Sequence, residues 1–138
     1  MDVQVVDNPS SDLFIEIERK IEMFNVERWE VKEKMPIAVT SYNDKNELQA
    51  GASARTFGLW LLIENIWVHE NLRGQSIGSK MLKALEEAAI ARGCQYALLD
   101  TLDFQARPFY EKFGYEVEWT QENYPKDGCK YFMVKRLI

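Results

Sequence analysis

The chain has 138 residues, 46% of them hydrophobic and 28% charged, and a net charge of −5 at pH 7. That length favours one domain over residues 1–138, with a core large enough to need no staples. The acidic balance, without any basic run, argues against nucleic acid as the main partner, since backbone binding needs a positive stripe.

Cys94 and Cys129 are the only cysteines and His69 is the only histidine. They make neither a disulfide framework nor a cluster with metal-ligand spacing. The first dozen residues lack the basic and apolar regions of a signal peptide, and the apolar runs are too short to span a bilayer. These features predict a metal-free protein of the reducing cytoplasm.

In chain order, "SSDLFIEIERKIEMFN" predicts a helix: Ser10, Ser11 and Asp12 offer N-caps, and Phe14, Ile17, Ile21 and Phe24 form an apolar stripe. "PIAVTSY" predicts a strand, "NDKNE" a polar turn and "LQAGASARTF" a strand of small residues. "LWLLIENIWV" is apolar enough to predict a strand buried on both faces. The three strands form a meander.

Next, "SIGSKMLKALEEAAIARG" predicts a helix with a stripe of Ile77, Met81, Leu85 and Ala88, widened by Leu82 and Ala89, and closed by Gly93. "YALLDT" predicts a short central strand. "RPFYEKFG" predicts a short helix with Pro108 in its first turn. "YEVEWT" and "KYFMVKRLI" predict two closing strands joined by the turn "NYPKDG". The order predicts a mixed α+β fold: a mostly antiparallel sheet flanked by helices, with a parallel βαβ unit at its centre.

The stretch "RGQSIGSK", Arg73 to Lys80, joins that meander to the following helix. It matches neither the P-loop nor the dinucleotide-binding spacing of glycines. A helix beginning near Ser76 still leaves its first N–H groups without intrahelical partners and places partial positive charge there. Gly74 and Gly78 let the backbone approach an anion, and Arg73 adds a fork of donors. A pyrophosphate would suit such a turn; so would a plain strand-to-helix connection with a Ser cap.

The segment "IWVHENLRGQSIGSKMLKALEEAAIARG" resembles the acetyl-CoA loop of the GCN5-related N-acetyltransferase (GNAT) superfamily, whose pattern is [RQ]-x-x-G-x-[GA]. Arg73, Ser76 and Gly78 fall on the specified positions, with Ser76 in place of the usual Gly. A Ser there still donates its backbone N–H and can cap the helix. Downstream, "DFQARPFYEKFGYEV" is similar to the superfamily's N-x-x-A-x-x-x-Y-x-x-x-G-[FY]. Ala106, Tyr110, Gly114 and Tyr115 match, and Asp103 replaces Asn.

The resemblance implies a GNAT-like domain with splayed central strands and acetyl-CoA as cosubstrate. Its pyrophosphate would lie on Arg73, Gly74, Gln75, Ser76, Ile77, Gly78 and Ser79. The backbone of Ile66, Trp67 and Val68 would hold the pantetheine arm, and Gln105 would lie beside the cofactor. It also implies a small-molecule or peptide amine as acceptor and, as dimers are common in the superfamily, a homodimer as one option.

Acetyl transfer to an amine needs a base, because an ammonium with a pKa near ~10 is no nucleophile, and an acid for the departing thiolate. Tyr110 takes the position of the superfamily's acid; packing between helix and sheet is its alternative. Glu64 interrupts an apolar strand, so a buried carboxylate acting as base through water is expected, on one face with Ile66 and Val68. A structural bond to a neighbouring strand is the other reading of Glu64, and Asp100 and Asp103 compete with it as base. Trp67 reads first as a core residue, then as a wall of the acceptor pocket. Trp29, Trp60 and Trp119 read as core or wall and His69 as surface. A non-catalytic acyl-CoA-binding module on the same fold is the alternative to an enzyme, and an unrelated nucleotide-binding domain is a third reading.

Overall fold

The computed structural model describes residues 2–138. They fall into two units, one ending at Lys32 and one running from Glu33 to Ile138.

In the first unit, α1 spans Ser11–Val26. Ser10 is its N-cap residue, without a side-chain cap bond. The helix has no buried residue, and the predicted stripe of Phe14, Ile17, Ile21 and Phe24 is exposed. The helix is therefore as the spacing predicts, with its apolar stripe exposed. Near the C-terminus the Arg28 guanidinium lies 3.8 Å over the Phe24 ring.

The second unit holds β1 (Met35–Tyr42), β2 (Leu48–Phe57), β3 (Trp60–Val68), a 3-10 turn (Glu70–Leu72), α2 (Ile77–Ala91), β4 (Tyr96–Leu102), α3 (Arg107–Lys112), β5 (Glu116–Glu122) and β6 (Cys129–Arg136). The elements follow the predicted order. The strands form one sheet in the order β1-β2-β3-β4-β6-β5; only β3 and β4 are parallel and the other pairs are antiparallel.

Turn chemistry explains the connections. Asn43 Oδ1 accepts the N–H groups of Lys45 and Glu47, each at 2.9 Å, closing the β1–β2 turn. Gly93 (φ +97°) follows α2 in the left-handed region, and the Cys94 N–H returns 3.0 Å to the Ala89 carbonyl, as in a helix stop built on glycine. In the β5–β6 turn a Cβ on Gly128 would stand 2.8 Å from the Tyr124 carbonyl oxygen, so only glycine fits.

Alternation along the strands places the core on one face of the sheet. Ala50, Ala52, Ala54 and Thr56 of β2 are buried, as are Leu61 and Ile63 of β3, Ala97, Leu99 and Thr101 of β4, and Met133 of β6. Against that face α2 buries Met81, Leu82, Leu85 and Ala89, close to its predicted stripe. Strand β3 is not buried on both faces: Leu61 and Ile63 are buried, whereas Glu64, Asn65 and Trp67 are exposed. Arg92 ties the end of α2 to the sheet, donating to the Met35 and Pro36 carbonyls and to Thr56 Oγ1 at 3.0–3.3 Å.

A polar network lies within this core. The Tyr115 hydroxyl donates to Glu86 Oε2 (2.7 Å), and Lys135 Nζ donates to Glu86 Oε1 (2.8 Å). Both carboxylate oxygens are thereby satisfied, which is the condition for holding a charge away from water.

Candidate active site

The parallel ladder between β3 and β4 has three register pairs, Trp60↔Tyr96, Leu61↔Ala97 and Leu62↔Leu98. Past Leu62 the two strands have no ladder partners in each other and splay apart. The opening forms a cleft lined by Leu62, Ile63, Glu64 and Asn65 on one side and Leu98, Leu99, Asp100 and Phe132 on the other. The backbone edge of Ile66, Trp67 and Val68 that faces away from β2 has no ladder partner in β4.

A β-bulge interrupts β3 beside the cleft. Ser53 pairs with Asn65 and Ala54 with Ile63, so Glu64 is the extra residue of β3. Simple alternation fails here: Ile63 is buried and Ile66 is the next residue packed on the core. Glu64 is not buried, contrary to expectation; its side chain is 46% exposed and Oε1 lies 3.0 Å from Arg55 Nε. The bond to a neighbouring strand is therefore made, and the carboxylate also stands in reach of water. The bulge separates Glu64 from the face of Ile66 and Val68, which a strict count of two back from those residues would have given it; Glu64 follows the alternation of Leu61 and Ile63 and lies outward. Asn65 Nδ2 donates to Ser53 Oγ (3.2 Å) beside it.

Opposite Glu64, the start of α3 is fixed by β4. Thr101 Oγ1 donates to Gln105 Oε1 (3.3 Å), the Leu102 N–H donates to the same oxygen (2.7 Å), and the Ala106 N–H donates to Thr101 Oγ1 (3.4 Å). The carbonyl of Gln105 is thus used inside the turn that launches α3. Pro108 sits in the first turn as predicted. Tyr110 is the buried residue of α3, its ring edge-on to Phe109 and Tyr115 at 5.2 and 6.0 Å. Burial, and then the negative charge of Asp100, push its phenol above the usual value, so it keeps its proton at neutral pH. The hydroxyl has no hydrogen-bond partner among the described residues, and no fully buried side-chain oxygen there lacks one, so it opens to solvent. Packing and a protonated, accessible hydroxyl coexist in this residue.

The turn at Arg73–Ser79 leads from the 3-10 turn after β3 into α2. The Lys80 N–H reaches the Ser76 carbonyl (3.2 Å), while the N–H groups of Ser76, Ile77, Gly78 and Ser79 have no backbone acceptor among the described residues. Gly74 has φ +85° and nothing within 4 Å of a would-be Cβ, so it leaves the mouth open. A Cβ on Gly78 would meet the Phe109 ring (3.5 Å) and Val68 (4.0 Å) at ordinary van der Waals distance, so α2 lies close to α3 and β3 at this point. Arg73 and Gln75 are exposed on the turn.

Ser76 has φ +64°, the left-handed region, and makes no side-chain cap bond, so the expected Ser cap is absent. The same angle explains why the superfamily pattern has Gly at this position. Ser76→Gly should therefore raise stability by about 0.5–1 kcal/mol, the left-handed penalty less the extra freedom of the unfolded glycine. Urea unfolding of both proteins checks this; a lower midpoint in the variant would mean the serine side chain has a stabilising partner.

Other aromatic residues depart from expectation. Trp67 is 45% exposed, against the core reading. It lies edge-on to His69, which is half-buried, and His69 Nδ1 accepts the Asn71 N–H (3.1 Å) to cap the 3-10 turn. Trp60 stacks on Tyr96 (5.0 Å) and Trp119 on Phe132 (5.2 Å), the latter pair next to the Asp100 wall. Trp29 is 45% exposed. Asp103 packs its carboxylate against Gly128, at the β5–β6 turn.

Arg55 is the residue that sequence reasoning missed. Its register partner is Leu62, which makes Glu64, two residues on, its diagonal neighbour across the β2–β3 pair. Among the described residues no group of His, Cys, Asp and Glu could hold a metal ion, and no helix is long and apolar enough to cross a membrane.

The turn with free N–H groups thus follows β3, and the splayed ends of β3 and β4 form a cleft with a carboxylate on each side, Glu64 and Asp100. The chain belongs to the Acetyltransferase (GNAT) family, which it matches over residues 6–115. An acetyltransferase of Agrobacterium fabrum is 35% identical over 92 residues, 67% of either chain. The blasticidin-S acetyltransferase of Streptomyces morookaense is 29% identical over 124 residues, 87% of this chain and 91% of the relative. The crystal structure of an acetyltransferase from Bacillus cereus superposes with a TM-score of 0.85 at 26% identity, covering 96% of this chain and 97% of the other. The protein is thus an N-acetyltransferase of the GNAT fold.

Proposed function

We propose that the chain moves an acetyl group from acetyl-CoA to a small-molecule or peptide amine, with Glu64 as base through water and Tyr110 as acid. The observation that carries this reading is the short parallel ladder. It opens into a cleft with Glu64 on one wall, Asp100 with nearby Tyr110 on the other, and the turn Arg73–Ser79 beyond the end of β3.

Acetyl-CoA supplies an activated acetyl thioester. The N–H groups of Ser76–Ser79 and the Arg73 guanidinium would hold its pyrophosphate, with Gly74 and Gln75 on the same turn. The free edge of Ile66, Trp67 and Val68 would pair with the amides of the pantetheine arm. Gln105 has its carbonyl engaged in the turn and offers its amide N–H groups. Glu64, exposed to water, would take the proton that the acceptor ammonium must lose. Tyr110 would give its proton to the leaving sulfur and regain one from solvent. The family match runs across both units, which supports residues 1–138 working as a single domain. A cytoplasmic location fits a supply of acetyl-CoA.

Ligand-dependent melting tests the donor. Acetyl-CoA and CoA at about 100 times their dissociation constant should each stabilise the fold by roughly 2.7 kcal/mol, with ATP and NAD doing far less. Equal shifts with all four would contradict the assignment of the turn to coenzyme A.

A further inference from the structure

Beside the cleft a second depression lies across β1, β2 and β3, lined by Pro36, Ile37, Ala38, Ser53, Arg55 and Glu64 among others. Glu64 lines both, so whatever occupies this groove reaches the proposed base. The short side chains of Pro36, Ala38 and Ser53 leave room above the sheet. Arg55 and Glu64 stand side by side at its edge, Nε to Oε1 at 3.0 Å, each about half exposed. The Nε–H is the only donor of Arg55 in use among the described residues; both Nη groups are left for a ligand. Arg92 contrasts with it, its guanidinium taken up by two carbonyls and a hydroxyl.

The arrangement constrains the acceptor. A simple cationic amine approaching Glu64 meets the positive charge of Arg55 at the same place, and like charges that close repel. A molecule with a carboxylate beside its amine removes the conflict: the carboxylate takes the Nη fork of Arg55, and the amine faces Glu64. Guanidinium forks match carboxylates in this two-bond manner. The β2–β3 register is what makes the site amphoteric: Arg55 pairs with Leu62, so Glu64, two residues on, is its diagonal neighbour, and the bulge leaves Glu64 without a ladder partner of its own.

We propose that the acceptor is an amino acid, with its reacting amine and a free carboxylate a few bonds apart, and that Arg55 is the residue that selects it. This rests on the acetyltransferase reading and deepens it.

The test compares L-amino acids with their own carboxamides, pair by pair, across all side chains, following thiol release from acetyl-CoA. The free acid should be preferred by roughly 10- to 100-fold in kcat/KM, the worth of hydrogen bonds to a charged group. Arg55→Gln should bring the acid-to-amide ratio close to one, mainly through KM for the acid. Arg55→Lys, which keeps the charge without the fork, should retain part of the preference. A residue that only braced Glu64 would lower both rates together and leave the ratio unchanged.

Amides used as well as acids would overturn the proposal while leaving the acetyltransferase reading intact, and so would turnover confined to amines without a carboxylate. Stabilisation by acetyl-CoA with no amine of any kind consumed would remove both.

Discussion

Tyr110→Phe is expected to lower kcat by roughly 100- to 1,000-fold, the effect of losing one positioned proton donor. The ring would still pack edge-on to Phe109 and Tyr115, because only the hydroxyl is removed. That hydroxyl makes no hydrogen bond among the described residues, so the fold should lose little stability. Acetyl-CoA affinity should likewise stay close to that of the parent. The pairing of a large loss in turnover with an unchanged melting temperature is the signature of an acid. Turnover at the parent's kcat in the Phe variant would assign the proton to solvent and leave Tyr110 a packing residue.

Glu86→Ala should have the largest effect on stability. The substitution strands two groups at once: Lys135 loses its counterion and the Tyr115 hydroxyl loses its acceptor. The carboxylate side chain is 13% exposed and that of Lys135 22%, so water replaces the lost bonds poorly. Breaking such a buried pair from one side costs about 3–5 kcal/mol, a large part of the stability of a domain this size. Denaturant unfolding measures it. Glu86→Leu combined with Lys135→Met and Tyr115→Phe should recover most of the loss, since removing all partners leaves no orphaned charge. A single variant that unfolds at the parent's midpoint would show that the network carries little free energy.

The element order was readable because each segment shows one dominant period. Met81, Leu82, Leu85 and Ala89 recur at helical spacing and are the residues α2 buries. The central position of β4 followed from its short apolar run, and its alternation appears in buried Ala97, Leu99 and Thr101. Period alone misplaced β3, because a bulge is defined by the partner strand, and nothing within "LLIENIWV" marks Glu64 as the inserted residue. Arg55 was hidden for a related reason: it becomes a neighbour of Glu64 only once the register between β2 and β3 is known.

The turn at Arg73 was legible in outline and not in detail. Its glycines were recognised as openings, but a one-letter pattern cannot say that Gly78 faces Phe109 while Gly74 faces nothing. Nor does it show Ser76 held at φ +64°, where a side-chain cap is not formed. In α1 the helical stripe was visible, but spacing specifies which residues share a face and not what covers them. Nor does the sequence show that the Asp103 carboxylate lies beside Gly128, a contact between segments 25 residues apart.

The central claim is that this cleft passes an acetyl group from acetyl-CoA to an amine. Incubation of the protein with acetyl-CoA and an amine library, read by mass spectrometry of the amines and by thiol release in the same samples, tests it most directly. The account predicts one acetylated amine for every thiol released, with both signals falling together in Glu64→Gln and Tyr110→Phe. Acetyl-CoA that binds and is not consumed with any amine, or consumption at the parent's rate in both variants, would contradict it.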